Sequence, residues 1–331
     1  MHDGCTPIAR RRPRVELLDL KPGKDDFLAA ALEGLSGPDK SLPCRFLYDA
    51  RGSALFDRIT RLPEYYPTRI ETGILADNAA DIAARLGPHV QLVEPGSGSS
   101  EKVRVLLDAL DRPYAYVPID ISREHLLAAA QSIQDDYPAL RVDPICADFV
   151  QDFDLPPPGP GRRVGFYPGS TIGNLTPDEA GAWLRQWSRR LGQGALLIIG
   201  VDLRKSGDIL EPAYDDSQGV TAAFSLNLLE RANRELGAGF DLAGFRHEAH
   251  YLPDEGRVRI QLRALKDQRI RLADRIIPMA AGEAIHIEDS WKYTLDGFQA
   301  LATASGFQPR HAWTDPDRLF SVHLLEAAPQ G

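Results

Sequence analysis

Four stretches of this chain gather residues able to do chemistry. Residues 93–102, VEPGSGSSEK, set Gly96 and Gly98 where an apolar run gives way to a helical pattern. Such glycines let the backbone approach a ligand, and the helix opening behind them favours an anion, a phosphate or a carboxylate. Asp120 ends the next apolar run, the place where an acid takes ribose hydroxyls, and Asp148 with Phe149 follows the third. That pair offers a polar group and an apolar face suited to an adenine ring. Residues 46–71, FLYDARGSALFDRITRLPEYYPTRIE, offer Tyr48, Tyr65 and Tyr66 among glycines and prolines. Residues 166–180, FYPGSTIGNLTPDEA, put Ser170, Thr171 and Asn174 directly behind a fourth apolar run. In residues 287–293, IEDSWKY, Glu288 and Ser290 point to the same side if the segment is extended.

The elements that must hold these groups follow from periodicity. Apolar runs at 90–94, 114–120, 140–146, 164–169 and 195–202 read as strands, and helical patterns near 100–110, 123–134 and 177–191 lie between them. Alternation of this kind predicts a parallel, doubly wound sheet with right-handed crossovers. Between about 203 and 291 the alternation breaks. One long helix near 220–236 is expected there, then strands at 245–252 and 258–265 joined by a polar turn. A helix at 295–305 and strands at 308–313 and 319–325 would complete the sheet. The proline-rich run 156–161 reads as a surface turn.

The glycine segment has to be decided between two ligands. A dinucleotide fingerprint wants a third glycine where this chain has Glu101, which would crowd the helix–sheet contact and repel a pyrophosphate. S-adenosylmethionine (SAM) carries no phosphate and two cationic groups, so acids such as Glu94 suit it. A glycine turn without a ligand is the bland alternative, and Asp120 and Asp148 in register speak against it.

Bulk properties agree with a small-molecule enzyme. The 331 residues suggest two domains, and a formal net charge of -9 argues against nucleic acid as a partner. Cys5, Cys44 and Cys146 show neither a disulfide framework nor a zinc spacing. No apolar stretch is long enough for a membrane helix or a signal peptide, so a cytoplasmic protein is expected, and the acidic charge without an obvious exposed apolar stripe makes a monomer the expectation.

The long motifs YDxRGSxLFDxITRLPEYYPTR, GSTIGNLTP, AYDDxxGVTAxFxxN and Glu-x-Ser-x-Lys at 288–292 carry a resemblance over residues 42–326. They are similar to the L-histidine Nα-methyltransferases of ergothioneine biosynthesis. The resemblance implies a class I methyltransferase core, residues 69–204 with 292–331, and an α+β substrate domain, residues 1–68 with 205–291. It implies SAM as methyl donor, used three times on one histidine to give hercynine. By the same resemblance Gly96 and Lys102 lie at the methionine end of SAM, Asp120 at the ribose, and Asp148 and Phe149 at the adenine. Tyr48 and Tyr65 line the amine, Tyr48 as the catalytic residue that orients its lone pair. Asn174 and Tyr214 hold the amine and carboxylate end, and Glu288 and Ser290 the imidazole. Two positions depart from the pattern. Pro95 stands where leucine is usual, and Ile260 where relatives can carry methionine against the ligand.

Blander readings exist for each group. Tyr48 could be a core tyrosine, Asn174 a cap for the next helix, Glu288 a partner for Lys292, and Tyr66 either core or site. Asp215 and Asp216 are expected to hold their loop, and the HEAH run at 247–250 has the wrong spacing for a metal motif. Rival functions are a methyltransferase acting on an indole-bearing amino acid or another amine, a nicotinamide oxidoreductase, and a non-catalytic SAM-binding scaffold. A carboxylate facing an indole would meet one donor at most, and the chain lacks a Tyr-x-x-x-Lys hydride pair.

Overall fold

The computed structural model describes residues 15–20, 27–98 and 101–329. Cys5 and the basic run Arg10, Arg11 and Arg12 lie outside them. The chain enters through a short strand β1 (Leu18–Asp19), helix α1 (Phe27–Ser36) and strand β2 (Lys40–Ser41). Helices α2 (Ala50–Ile59), α3 (Tyr66–Asp77) and α4 (Ala79–Leu86) follow. The alternating part then runs β3 (Gln91–Pro95), α5 (Glu101–Ala109), β4 (Ala115–Asp120) and α6 (Arg123–Asp136). Next come β5 (Arg141–Val142), β6 (Ile145–Cys146), β7 (Arg163–Tyr167), α7 (Pro177–Leu191) and β8 (Leu196–Asp202). The third expected strand is thus two short ones, because Asp143 and Pro144 interrupt it. Both pieces pair in parallel with β4.

The nine strands of the large sheet include the path β1-β6-β4-β3-β7-β8, then β15 (Phe320–Ala327) and β14 (Phe307–Thr314), with β5 also on β4. Only β15 runs against its neighbours. Every residue of β3 and of β8 is buried, as expected of parallel strands covered on both faces. Alternate side chains feed two cores. Leu92, Tyr116, Phe166 and Ile198 face one, and Val93, Val117, Tyr167 and Ile199 the other.

Residues 203–291 depart from the expected single helix. Two helices form, α8 (Gly207–Tyr214), with Pro212 inside it, and α9 (Val220–Leu236). The strands β9 (Phe245–Leu252) and β10 (Arg257–Ala264) pair as expected, and a separate hairpin, β11 (Gln268–Leu272) and β12 (Arg275–Met279), follows. The last strand of this region, β13 (Ala284–Trp291), joins β10 on one side and β2 on the other. Helix α10 (Leu295–Ala304) then returns the chain to the large sheet.

A third core is built from residues between Phe27 and Tyr66 together with residues between Leu210 and Ile287. Leu18 and Asp19, grouped above with that substrate-side unit, instead pair with Ile145 and Cys146 on the large sheet. Among the described residues no helix is long and apolar enough to cross a membrane.

Candidate functional site

The carboxyl ends of β3, β4, β6, β7 and β8 form one edge of the large sheet, and open α/β sheets bind ligands there. After β3 the chain turns through Gly96 and Gly98, whose φ angles are 68° and 50°. Only glycine enters that left-handed region without strain. A Cβ on Gly96 would stand 3.3 Å from the ring of Phe149, so the missing side chain also keeps a gap open beside that ring. Asp120 accepts from Ser122 N at 2.8 Å and Gly98 N at 3.3 Å, which ties the end of β4 to the glycine turn. Burial raises its carboxyl above the usual range despite those N–H groups.

Two expected ligand groups also have partners within the protein. Asp148 turns toward its own loop and accepts from Val150 N at 3.0 Å. Glu94 is 2% exposed and accepts from the Tyr116 hydroxyl; burial raises it to about 8, so it is largely neutral near pH 7. Lys102, in the first turn of α5, pairs with the buried Glu71 of α3. Glu71 also accepts from Gly169 N at 2.8 Å, so one carboxylate joins α3, α5 and the turn after β7. A Cβ on Gly200 would fall 1.9 Å from Glu71 Oε1, hence the glycine in β8. The sequence reading passed over Glu71; its only signal was an acid on an otherwise apolar helix face.

The substrate-side residues converge on β13. Its ladder with β10 slips at Ile287, so that Ile260 faces Glu288 and Gln261 faces His286. This bulge keeps Ile285, Glu288 and Ser290 on the face they share with Val258, Ile260 and Leu262 of β10. Regular alternation from Ile285 would have turned Glu288 away. Cys44 bonds the Glu288 carboxyl, and burial raises that carboxyl to about 7 while Lys292 pulls it down. Ser290 Oγ lies 2.9 Å from the Tyr214 hydroxyl, and the Tyr214 ring packs edge-on to Tyr65.

Tyr48 is 37% exposed, and its ring stands edge-on to Phe56 and Phe224. Desolvation of its hydroxyl end, then Glu288, Cys44, Tyr65 and Tyr214, push it well above the usual tyrosine range. Burial does the same to Tyr65 and Tyr214. All three are therefore neutral hydroxyls rather than phenolates.

Asn174 ends the Thr171–Asn174 turn, which packs on β13: a Cβ on Gly173 would stand 2.7 Å from Trp291 O. It does not cap α7. Thr176 and Glu179 do so, in a reciprocal capping box. Ser170 holds a left-handed φ of 55° and accepts from Asp202 N at 2.9 Å, which anchors that turn to β8. Tyr66 belongs to the core: it is buried, and its hydroxyl donates to Asp202 at 2.7 Å. Asp216 caps α9, accepting from Val220 N and Thr221 N. In the HEAH run, His247 bonds Tyr214 O at 2.8 Å and Glu248 takes Arg246, Gln261 and Arg263, so the run braces β9.

The two groups of residues meet at Tyr167. Its buried ring stands 6.2 Å from Phe149, and Cys44, which bonds Glu288, is among the groups near its hydroxyl. A ligand on the glycine turn and one on β13 would thus share a wall. Sequence reasoning missed the buried Asp202 and Lys205 and named Lys292 only as a motif residue and a partner for Glu288, although Asp202 was legible as the charged end of an apolar strand.

Comparison with known proteins agrees with this geometry. Residues 27–327 match the model of a family described as histidine-specific methyltransferase, SAM-dependent. A histidine N-alpha-methyltransferase of Mycolicibacterium smegmatis is 43% identical over 296 residues, covering 88% of this chain and 92% of that protein. A second, from Mycobacterium tuberculosis, is 41% identical over 296 residues, again 88% of this chain and 92% of the relative. Ergothioneine biosynthesis protein 1 of Neurospora crassa is 30% identical over 309 residues, 87% of this chain but 33% of that protein. With its doubly wound sheet, its glycine turn and a family match over nearly its whole length, the chain belongs to the SAM-dependent, histidine-specific methyltransferases.

Proposed function

We propose that this enzyme transfers methyl groups from SAM to the α-amino group of free L-histidine, three times in succession, giving the trimethylbetaine hercynine, the first step of ergothioneine biosynthesis. The observation that carries the reading is the placement of Glu288 and Ser290 on the pocket face of the bulged β13, beside Tyr48, Tyr65 and Tyr214.

The glycine turn fits SAM. Ser97 Oγ is buried and has no partner among the described residues, and Phe149 faces the space left over Gly96. Gly96 and Lys102 would lie at the methionine end, Asp120 at the ribose, and Asp148 and Phe149 at the adenine. When bound, SAM supplies an electrophilic methyl group on a sulfonium sulfur. The chain's own residues do the rest. Methyl transfer is an in-line displacement, so the main demand is to hold an unprotonated amine on axis. Tyr48 and Tyr65 orient the lone pair without asking for a charge, and the enclosed pocket lowers the amine's affinity for its proton. Glu288 accepts from one imidazole N–H, and Ser290 and Tyr214 meet the other polar atoms, with Asn174 at the amine. A site built to hydrogen-bond a ring in this way rejects one that leaves its buried groups unpaired. On this reading residues 69–204 with 292–331 serve SAM, residues 27–68 with 205–291 serve histidine, and a monomer suffices.

The test is direct. Purified protein is incubated with SAM and each common amino acid, and products are followed by mass spectrometry. Histidine alone should gain up to three methyl groups. Methylation of another amine with histidine untouched would overturn the imidazole roles of Glu288 and Ser290 and leave the SAM site standing.

A further inference from the structure

Behind the pocket face of β13 lies a dry cluster of charge. Asp202, at the end of β8, is fully buried and takes Lys292 Nζ at 2.8 Å and Lys205 Nζ at 2.6 Å. Tyr66 donates to the same carboxylate. Lys205 also donates to the Tyr66 hydroxyl at 2.8 Å and feels Asp315. Lys292 turns the other way. Its side chain has no exposure at all, and beyond Asp202 it donates to Tyr214 Oη at 2.6 Å and to Ser290 Oγ at 2.7 Å. Three N–H groups are all that an ammonium has, and all three are used.

This accounting constrains the two hydroxyls. Each already accepts a bond from a cation. They are 2.9 Å apart, so one proton lies between them. The remaining hydroxyl proton has to point elsewhere, and on the histidine reading that direction is the substrate site beside Tyr65, whose ring packs edge-on to Tyr214. The result is an outward donor backed by a buried positive charge, and charge-assisted donors of this kind favour anions. Burying an ammonium at zero exposure costs several kcal/mol unless paired, so a hydrophobic residue would have served mere packing better.

We propose that Lys292, held by Asp202, is a specificity-determining positioning residue: with Ser290 bonded to Tyr214, it makes the Tyr214 hydroxyl a charge-assisted donor to the substrate's α-carboxylate, and so restricts the enzyme to amines that carry one. The proposal rests on the histidine reading above. Lys292 need not touch the substrate; its charge reaches the pocket through the hydroxyls.

The experiment compares binding of histidine and of histidinol, which lacks the carboxylate, by calorimetry with S-adenosylhomocysteine present. Wild-type enzyme should prefer histidine by roughly 10- to 100-fold, the range for a hydrogen bond to a charged group. In Lys292→Met that preference should shrink to within about threefold, through loss of histidine affinity, with KM for histidine rising more than kcat falls. Asp202 keeps Lys205 and Tyr66 in this variant, and thermal melting checks its fold. Should it fail to fold, Lys292→Gln keeps a neutral donor to the hydroxyls and should lose the preference equally. Equal weakening of both ligands would overturn the proposal, leaving Lys292 as a structural group, and so would a wild type that does not tell the two ligands apart. A wild type that binds neither ligand and methylates no histidine would instead sink the functional reading, a failure visible before any variant is made.

Discussion

Glu288 carries the most testable chemistry at the scale of one residue. Burial raises its carboxyl from the ordinary 4.5 to about 7, with Lys292 opposing and Asp289 adding to the rise. The ionised form that accepts an imidazole N–H is therefore present above about 7 and lost as pH falls through it. The substrate imidazole sheds its own proton over much the same range, so KM for histidine should fall between about pH 6 and 8. Glu288→Gln keeps the size and cannot titrate. It should flatten that pH profile and lower kcat/KM at pH 8 by roughly 10- to 100-fold, with a smaller loss at pH 6. An unchanged profile would remove Glu288 from the recognition of the ring. The sign for stability is opposite. The unfolded chain releases this proton near 4.5 while the fold retains it to about 7, so the unliganded protein loses stability as pH rises through that window.

At the scale of elements, the site depends on how the Thr171–Asn174 turn meets β13. Gly173 is needed there because the backbone of Trp291 lies where a side chain would begin. Gly173→Ala should push the turn and Asn174 off β13. The expected outcome is a loss of about 1–3 kcal/mol in thermal or urea unfolding, together with a drop in kcat/KM larger than that of an alanine placed at the open Gly194. Equal activity of the two variants would show that the turn does not position substrate. The helices α7 and α9 were readable from apolar periodicity and begin and end where the pattern changes, whereas β13 was not named as a strand. The bulge at Ile287 was not readable. Residues 285–291 look like any half-buried strand, and only the partner strand reveals that one residue is left unpaired.

Across the whole molecule, Asp202 joins the parts. It ends β8 of the large sheet, receives Lys292 from just beyond β13 of the smaller one, and takes Tyr66 from the start of α3. Asp202→Ala would strand a buried ammonium, and we expect a cost of about 3–5 kcal/mol by urea unfolding. Adding Lys292→Met should recover part of it, since only Lys205 of the two stranded ammonium groups then remains. If the double variant were as unstable as the sum of the two single ones, the pair would not be coupled. Glu71 makes a similar knot on the SAM side, binding Lys102 and Gly169 at once.

The sequence by itself determined what short-range physics controls. Alternation of apolar runs set the doubly wound core, two glycines with left-handed φ set the turn after β3, and long local motifs marked Tyr48, Asn174, Tyr214, Glu288 and Ser290 as a group. Steric limits on the backbone and the period of a helix or strand act within a few residues, so they are legible in a linear text. The tertiary structure alone decided which charges are paired and which way the site residues face. Lys102, expected at the methionine end of SAM, is held from behind by Glu71; Lys292 looked like a motif residue and proved to be the buried cation between Asp202 and two hydroxyls. A buried charge is tolerable only beside its partner, and these partners come from elements far apart in the chain, brought together by the burial of three separate cores.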